Sequence, residues 1–298
     1  MMNVQAVVSS DQTSNPSLSI DPQFDIYLRQ FCDRFQGKLN KEEIEPIFNP
    51  NPTILKDSKD SNHEHSIFLM PIVLGDERMI NDFIRIRSQG SEGSTLSSKE
   101  YMKYYGGGIK NKEQSKKECE SRMNGMWMNN SLPLEMVFLV YDKEKEQDNE
   151  GRREASLYVG VDTNGSKGGI VTAGLRDEYG NIEENPDFFF VASEKDSGKH
   201  LTRKSVRIMV MFFELINSKG IYGFDRLSAT VHPENRPSEE ILKHVGFKFC
   251  KQDNRTYLKA ECKLRNVYEY KFSIVDQSIQ PNCKESDEIQ DIKEAKKA

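Results

Sequence analysis

Apolar residues recur along this chain with two periods, and the changes between them mark out the elements. IFLMPIVL (67–74) is an unbroken apolar run flanked by polar residues, the pattern of a buried strand. ERMINDFIRIRS (77–88) sets Met79, Ile80, Phe83, Ile84 and Ile86 on a helical period. SSKEYMKYYGGG (97–108) continues the helical region until three glycines break it, and NKEQSKKECESRMNGMW (111–127) reads as another helix. Strand patterns follow in EMVFLVYD (135–142), ASLYVGVD (155–162), GGIVTAGLRD (168–177) and DFFFVAS (187–193). The charged stretch from Lys143 to Glu154 separates the first two as a solvated hairpin tip. The period then returns to 3.6 from Leu201 to Lys219, where Val206, Met209, Phe212, Phe213 and Ile216 share a face and Gly220 closes the helix. RLSATVH (226–232) is a strand, PSEEILKHV (237–245) a short helix stopped by Gly246, and FKFC (247–250) with a hairpin TYLKAECKL/NVYEYKFSI (256–274) ends the core.

This order predicts an α+β fold, a mixed and mostly antiparallel sheet flanked by helices on both faces. Residues 1–65 form a separate N-terminal segment: polar and disordered over 1–20, then a short amphipathic docking helix (Phe24, Ile26, Tyr27, Phe31, Phe35), then a linker from Asn49 to His65. The main domain spans 66–280, and 281–298 is a charged tail.

The 298 residues hold 42 Lys and Arg against 47 Asp and Glu, a net charge of −5. An acidic chain has no bulk electrostatic reason to bind nucleic acid or an anionic membrane, so neither partner is expected. No apolar run approaches the roughly 18–20 residues that span a bilayer, and the N-terminus lacks the pattern of a secretory signal. The five cysteines (Cys32, Cys119, Cys250, Cys262, Cys283) are odd in number and form no CxxC pair, so they read as reduced thiols in a cytoplasmic protein. His63, Glu64 and His65 look metal-like but have no third ligand at a meaningful spacing, and no metal is expected. Oligomeric state is not legible.

Chemistry concentrates in two strings. EKDSGKHLTRKS (194–205) joins a strand to a helix N-terminus through Gly198. Free N–H groups and the positive dipole end of a helix attract anions, and a glycine lets a phosphate approach the backbone. Read singly, it is equally a structural turn with exposed lysines. HPENRPSEEILKHVGF (232–247) holds Asn235 and Ser238 ahead of a short helix and Gly246-Phe247. Read singly, Asn235 is an N-cap, Ser238 a first-turn serine and Gly246 a helix stop.

Together the two strings resemble the GNAT acetyltransferases, and most closely the ribosomal-protein N-terminal acetyltransferase branch. GKHLTRKS (198–205) stands where that branch has a GKGYATEA-like string, and Asn235, Ser238, Leu242 and Gly246-Phe247 match its N-x-x-S…GF string. The likeness covers roughly residues 66–275. It implies an acetyl-CoA-dependent N-acetyltransferase, in which a primary amine of a protein, peptide or small molecule attacks the thioester directly. It also implies that Phe190, Val191, Ala192 and Ser193 line the pantetheine arm. Ser197, Gly198, Lys199, His200, Leu201 and Thr202 would receive the pyrophosphate, and Asn235 would bond the arm or order a water. Ser238 matches the branch's serine acid. No single base is marked: Asp187 and Glu194 flank the cofactor strand, Glu135 begins an earlier one, and a water relay is the alternative, with Asp187 carried as the catalytic candidate. The chain departs from the family pattern in carrying Lys195 for Arg or Gln, His200 for a small residue, and Leu242 where many members have a tyrosine. These departures raise an alternative, a non-catalytic GNAT-fold module that binds CoA or a protein partner.

Overall fold

The computed structural model describes residues 21–51, 66–88, 90, 98–105, 108–128, 132–163, 187–198, 200–222, 226–254 and 263–272. The strand expected at 168–177, the His63–His65 cluster, Lys199, residues 256–262 and both termini lie outside the described residues.

Among the described residues seven strands form one sheet: β1 (Ile67–Pro71), β2 (Glu135–Asp142), β3 (Ala155–Asp162), β4 (Asp187–Ala192), β5 (Arg226–Val231), β6 (Lys248–Asn254) and β7 (Leu264–Lys271), in the order β1-β2-β3-β4-β5-β7-β6. Every neighbouring pair is antiparallel except β4 and β5, which run parallel. This is the mixed, mostly antiparallel sheet that the strand pattern implied.

The helices are α1 (Phe24–Asp33), α2 (Lys41–Phe48), α3 (Glu77–Arg87), α4 (Lys99–Met102), α5 (Lys112–Trp127), α6 (Leu201–Ser218) and α7 (Arg236–Val245). Their starts follow from the sequence. Asp76 caps α3 by accepting from the N–H groups of Arg78 and Met79, and Asn111 with Gln114 forms a capping box on α5. The alternation of β2 sends Met136, Phe138 and Val140 to one face and Glu135, Val137, Leu139 and Tyr141 to the other. The first face meets α6, α1 and α2, where Phe138 packs on Phe31 and Phe48 with ring centres 5.2 and 4.9 Å away, and Phe48 on Phe212 at 5.0 Å. The second face carries α3 and α5, with Phe83 of α3 stacked on Tyr158 at 4.5 Å.

Three elements differ from the sequence reading. Residues 21–48 form two helices, not one, and Phe24, Phe31, Phe35 and Phe48 are all buried in the same core as the sheet. The helical region at 97–108 reduces to the four residues of α4, since the glycines leave too little length to sustain a helix. β7 pairs with β6 over 248–254, Asn254 facing Leu264, while 256–262 of the expected partner strand lies outside the described residues. β6 lies at the sheet edge with most residues exposed, so KQDN carries no alternation to be read.

Candidate functional site

β4 and β5 are in register at one pair only, Asp187 with Ser228. Beyond it the two strands diverge, and the side of β4 that faces β5 is left unpaired by that neighbour over the rest of its length. A cleft therefore opens inside a sheet that is otherwise continuous. A cavity of about 750 Å³ occupies it.

At the end of the β4 arm the chain turns through residues 194–196, a turn held by Lys145, whose ammonium lies 2.8 Å from the buried Asp196 carboxylate. Lys195 forms an ion pair with Glu154 of the β2–β3 hairpin, so this residue in the family's Arg/Gln position is drawn sideways. Gly198 has φ +83° and His200 φ +58°, both left-handed, and α6 begins directly after. The His200 side chain makes no capping bond, so it does not itself occupy the first-turn N–H groups of α6, the groups of a helix that attract an anion. Its ring turns toward Arg203, Nδ1 lying 3.4 Å from the guanidinium, which itself is 3.4 Å from Nε2 of His244. His200 thus adds to a basic rim.

At the end of the β5 arm, Asn235 caps α7 and accepts from the Ser238 N–H at 3.4 Å, and Gly246 closes the helix at φ +108°. The segment around α4 bridges the two arms. Ser98 donates through its N–H (2.6 Å) and hydroxyl (2.9 Å) to Glu194, and the Tyr101 hydroxyl bonds Ser197 on the β4 side. On the β5 side Tyr104 stacks on His232 with ring centres 4.8 Å apart and reaches Glu234 with its hydroxyl at 3.3 Å.

The inner end of the cleft is charged. Glu135, Asp162 and Asp187 lie in register on three adjacent strands, which puts the three carboxylates in one row on the α3/α5 face. Arg122 of α5 covers the row: its guanidinium lies 4.2 Å above the Phe189 ring, 3.0 Å from Glu118 and 3.7 Å from Glu135. Burial would raise the Glu118 carboxyl, but Arg122, Arg87 and Lys110 hold it down at about 2. Glu135 goes the other way. Burial pushes it up to about 7, Arg122 opposes, and the charges of Asp162 and Glu118 add to the rise.

The cavity gathers most of the residues singled out from sequence: Asp187, Phe190, Val191, Ala192, Ser197, Gly198, His200, Thr202, Asn235 and Ser238 all line it. Ser193 and Leu201 do not. Ser193 is buried with its N–H bonded to the Ser156 carbonyl, and the Leu201 side chain points into the core. Glu194 holds the bridging segment, and Glu135, the outermost carboxylate of the row, does not line the cavity. Sequence reasoning missed Arg122, Asp162 and His232, which line the same space. Only strand register and helix packing bring them there. Among the described residues no group of side chains forms a metal site, and no helix is long and apolar enough to cross a membrane.

Comparison with known proteins gives a family. Residues 91–248, more than half of the chain, match the family described as "Acetyltransferase (GNAT) domain", whose members use acetyl-CoA. No curated protein sequence matches the chain. Solved structures with a similar course include RimL, a ribosomal L7/L12 alpha-N-protein acetyltransferase in complex with coenzyme A (11% identity, 68% of this chain and 94% of that one, TM-score 0.45). Others are Mycobacterium smegmatis RimJ in complex with CoA-disulfide (14%, 72% and 85%, 0.43) and the ribosomal-protein-S5-alanine acetyltransferase of Vibrio fischeri (14%, 74% and 98%, 0.43). TM-scores below 0.5 give these likenesses no weight of their own.

Proposed function

Because the chain belongs to the acetyltransferase (GNAT) family, we propose that it transfers the acetyl group of acetyl-CoA to a primary amine by direct attack on the thioester. The observation that carries this reading is the parting of β4 from β5 beside an α6 N-terminus without a side-chain cap. The first offers unpaired strand backbone to a pantetheine arm, the second offers N–H groups to a pyrophosphate. The two lie along one cavity of about 750 Å³, within the size range of cofactor pockets.

Acetyl-CoA supplies an activated acyl carbon and a thiolate leaving group. The chain does the rest. Backbone groups of Phe190 to Ala192 hold the arm, and those of Ser197 to Thr202 hold the pyrophosphate, with His200 and Arg203 as added donors at the rim. Ser238, in the first turn of α7, donates to the departing sulfur. Asp187, where the two arms join, takes the proton from the amine directly or through water. Asp162 and Asp187 at the inner end favour an acceptor that arrives as an ammonium ion. An α-amine near pKa 8 loses its proton far more readily than a lysine near 10.4, which makes the α-amine of a protein or peptide the first acceptor to test. The motif likeness to the ribosomal-protein branch points the same way.

Titration calorimetry with acetyl-CoA, followed by mass spectrometry of peptides carrying free α-amines, tests the proposal. One-to-one binding and an acetylated N-terminus are expected. Absence of heat with both CoA and acetyl-CoA sinks it.

A further inference from the structure

His232 ends the β5 arm and lines the cavity one turn of chain before Asn235 and Ser238. Its ring is fixed from two sides. The Tyr104 ring stacks on it at 4.8 Å and 29°, and the Glu234 backbone N–H donates to Nδ1 at 3.1 Å. A backbone N–H can only donate, so Nδ1 is the acceptor and the neutral ring carries its proton on Nε2. Nε2 has no hydrogen-bond partner among the described residues. The charged groups around the ring are Arg265 of β7, Lys103 of the bridging segment and Glu234. Burial first, then Arg265 and Lys103, lower its pKa below 6.5 against the pull of Glu234, so the ring is neutral at neutral pH.

We propose that His232 donates a hydrogen bond through Nε2 to the thioester sulfur of the acetyl donor and so stabilises the departing thiolate. This deepens the acetyltransferase reading and rests on it. The amine nitrogen forms a bond to the acyl carbon, the carbon–sulfur bond breaks, and its electron pair goes to sulfur. The ammonium proton leaves toward Asp187 or water, while His232 keeps its own proton throughout. The sulfur, rather than the carbonyl oxygen, is assigned to His232 because His232 and Ser238 share the β5–α7 wall. The facing β4 wall offers unpaired backbone groups suited to the carbonyl and the arm. Two donors on one wall also answer the absence of a tyrosine at Leu242.

The test uses the full chain and three proteins: wild type, His232→Phe, which keeps the stack on Tyr104 without a donor, and His232→Gln, which restores an N–H near the Nε2 position. First, the ultraviolet absorbance of the thiolate of bound CoA is followed against pH. Wild type is expected to lower the bound thiol at least one unit below the free value of about 8.5, Phe to return it most of the way, and Gln to hold it down. Second, acetyl transfer is measured. Phe is expected to lose about 10- to 100-fold in kcat with the KM for acetyl-CoA within about threefold, and Gln to recover most of the loss. A wild-type complex whose thiol titrates as in free CoA overturns the inference and leaves the acetyltransferase reading standing. So does a Phe variant equal to wild type in both measurements, or a Gln variant no better than Phe at an unchanged melting temperature. Failure of wild type to bind CoA overturns both.

Discussion

Ser238 and Glu135 carry predictions of different kinds. If Ser238 donates to the leaving sulfur, Ser238→Ala should lower kcat by roughly 10- to 100-fold while the Kd for CoA from calorimetry changes less than about threefold. Equal activity removes the serine from the chemistry. Glu135 is a matter of pH. Its carboxyl is raised in the fold to about 7 from an ordinary 4.5. A folded-state pKa above the unfolded one means a contribution to stability that is full below about 4.5 and is lost as pH rises through about 7. Wild type should therefore lose roughly 1–3 kcal/mol across that window through this residue, and Glu135→Gln should lack that loss. Urea unfolding of both proteins at pH 5 and pH 8 gives the comparison. Asn235, Gly198 and Ser238 were legible in the sequence because backbone chemistry ties each to a fixed place on a helix end. Asp162, Arg122 and His232 were not, since a carboxylate ending a strand looks like any other until register sets its neighbours.

Elements set the shape of the cleft. Gly160 of β3 lies under Phe189, and a Cβ there would meet the Met136 carbonyl at 2.4 Å and the Phe189 ring at 2.6 Å. The ring can turn aside, but the carbonyl is fixed in the β2–β3 ladder, so strain stays in the sheet even after the ring has moved. Gly160→Ala is expected to destabilise by about 1–3 kcal/mol and to displace Phe189 from beneath Arg122, raising the KM of the acceptor more than that of acetyl-CoA. Thermal melting and steady-state kinetics read the two effects. The bridging segment makes a second case. Glu194 accepts both the N–H and the hydroxyl of Ser98, and these bonds tie the segment to the β4 arm. Glu194→Ala should leave the melting temperature almost unchanged and speed the release of CoA about 3- to 10-fold, measured by stopped-flow displacement. An unchanged release rate means that the segment does not cover the cofactor. Helices α3, α5, α6 and α7 and strands β2 to β5 were readable from period and caps. The edge strand β6 was not, because exposure on both faces erases the alternation that marks a strand.

At the scale of the whole molecule, α1 and α2 share the core of the sheet. Phe31 and Phe48 fill the space between Phe138 of β2 and Phe212 of α6, and all four are fully buried. Phe48→Ala should cost about 3–5 kcal/mol, and a chain starting at residue 66 should fail to give a cooperative melting transition. A sharp transition from the truncated chain would make the two helices dispensable.

The sequence by itself determined the order of elements, the helix ends, and the two strings to which the proposed function assigns the phosphate loop and the acid. These are local matters, settled by periodicity, capping and the freedom of glycine. The tertiary structure decided the rest. It set the single Asp187–Ser228 pair that lets β4 and β5 part, the row of carboxylates across three strands, the ring of Tyr104 on His232, and the burial of α1 and α2. Each joins residues far apart in the chain, and no local pattern records which partner a strand end, a tyrosine or an amphipathic helix will meet.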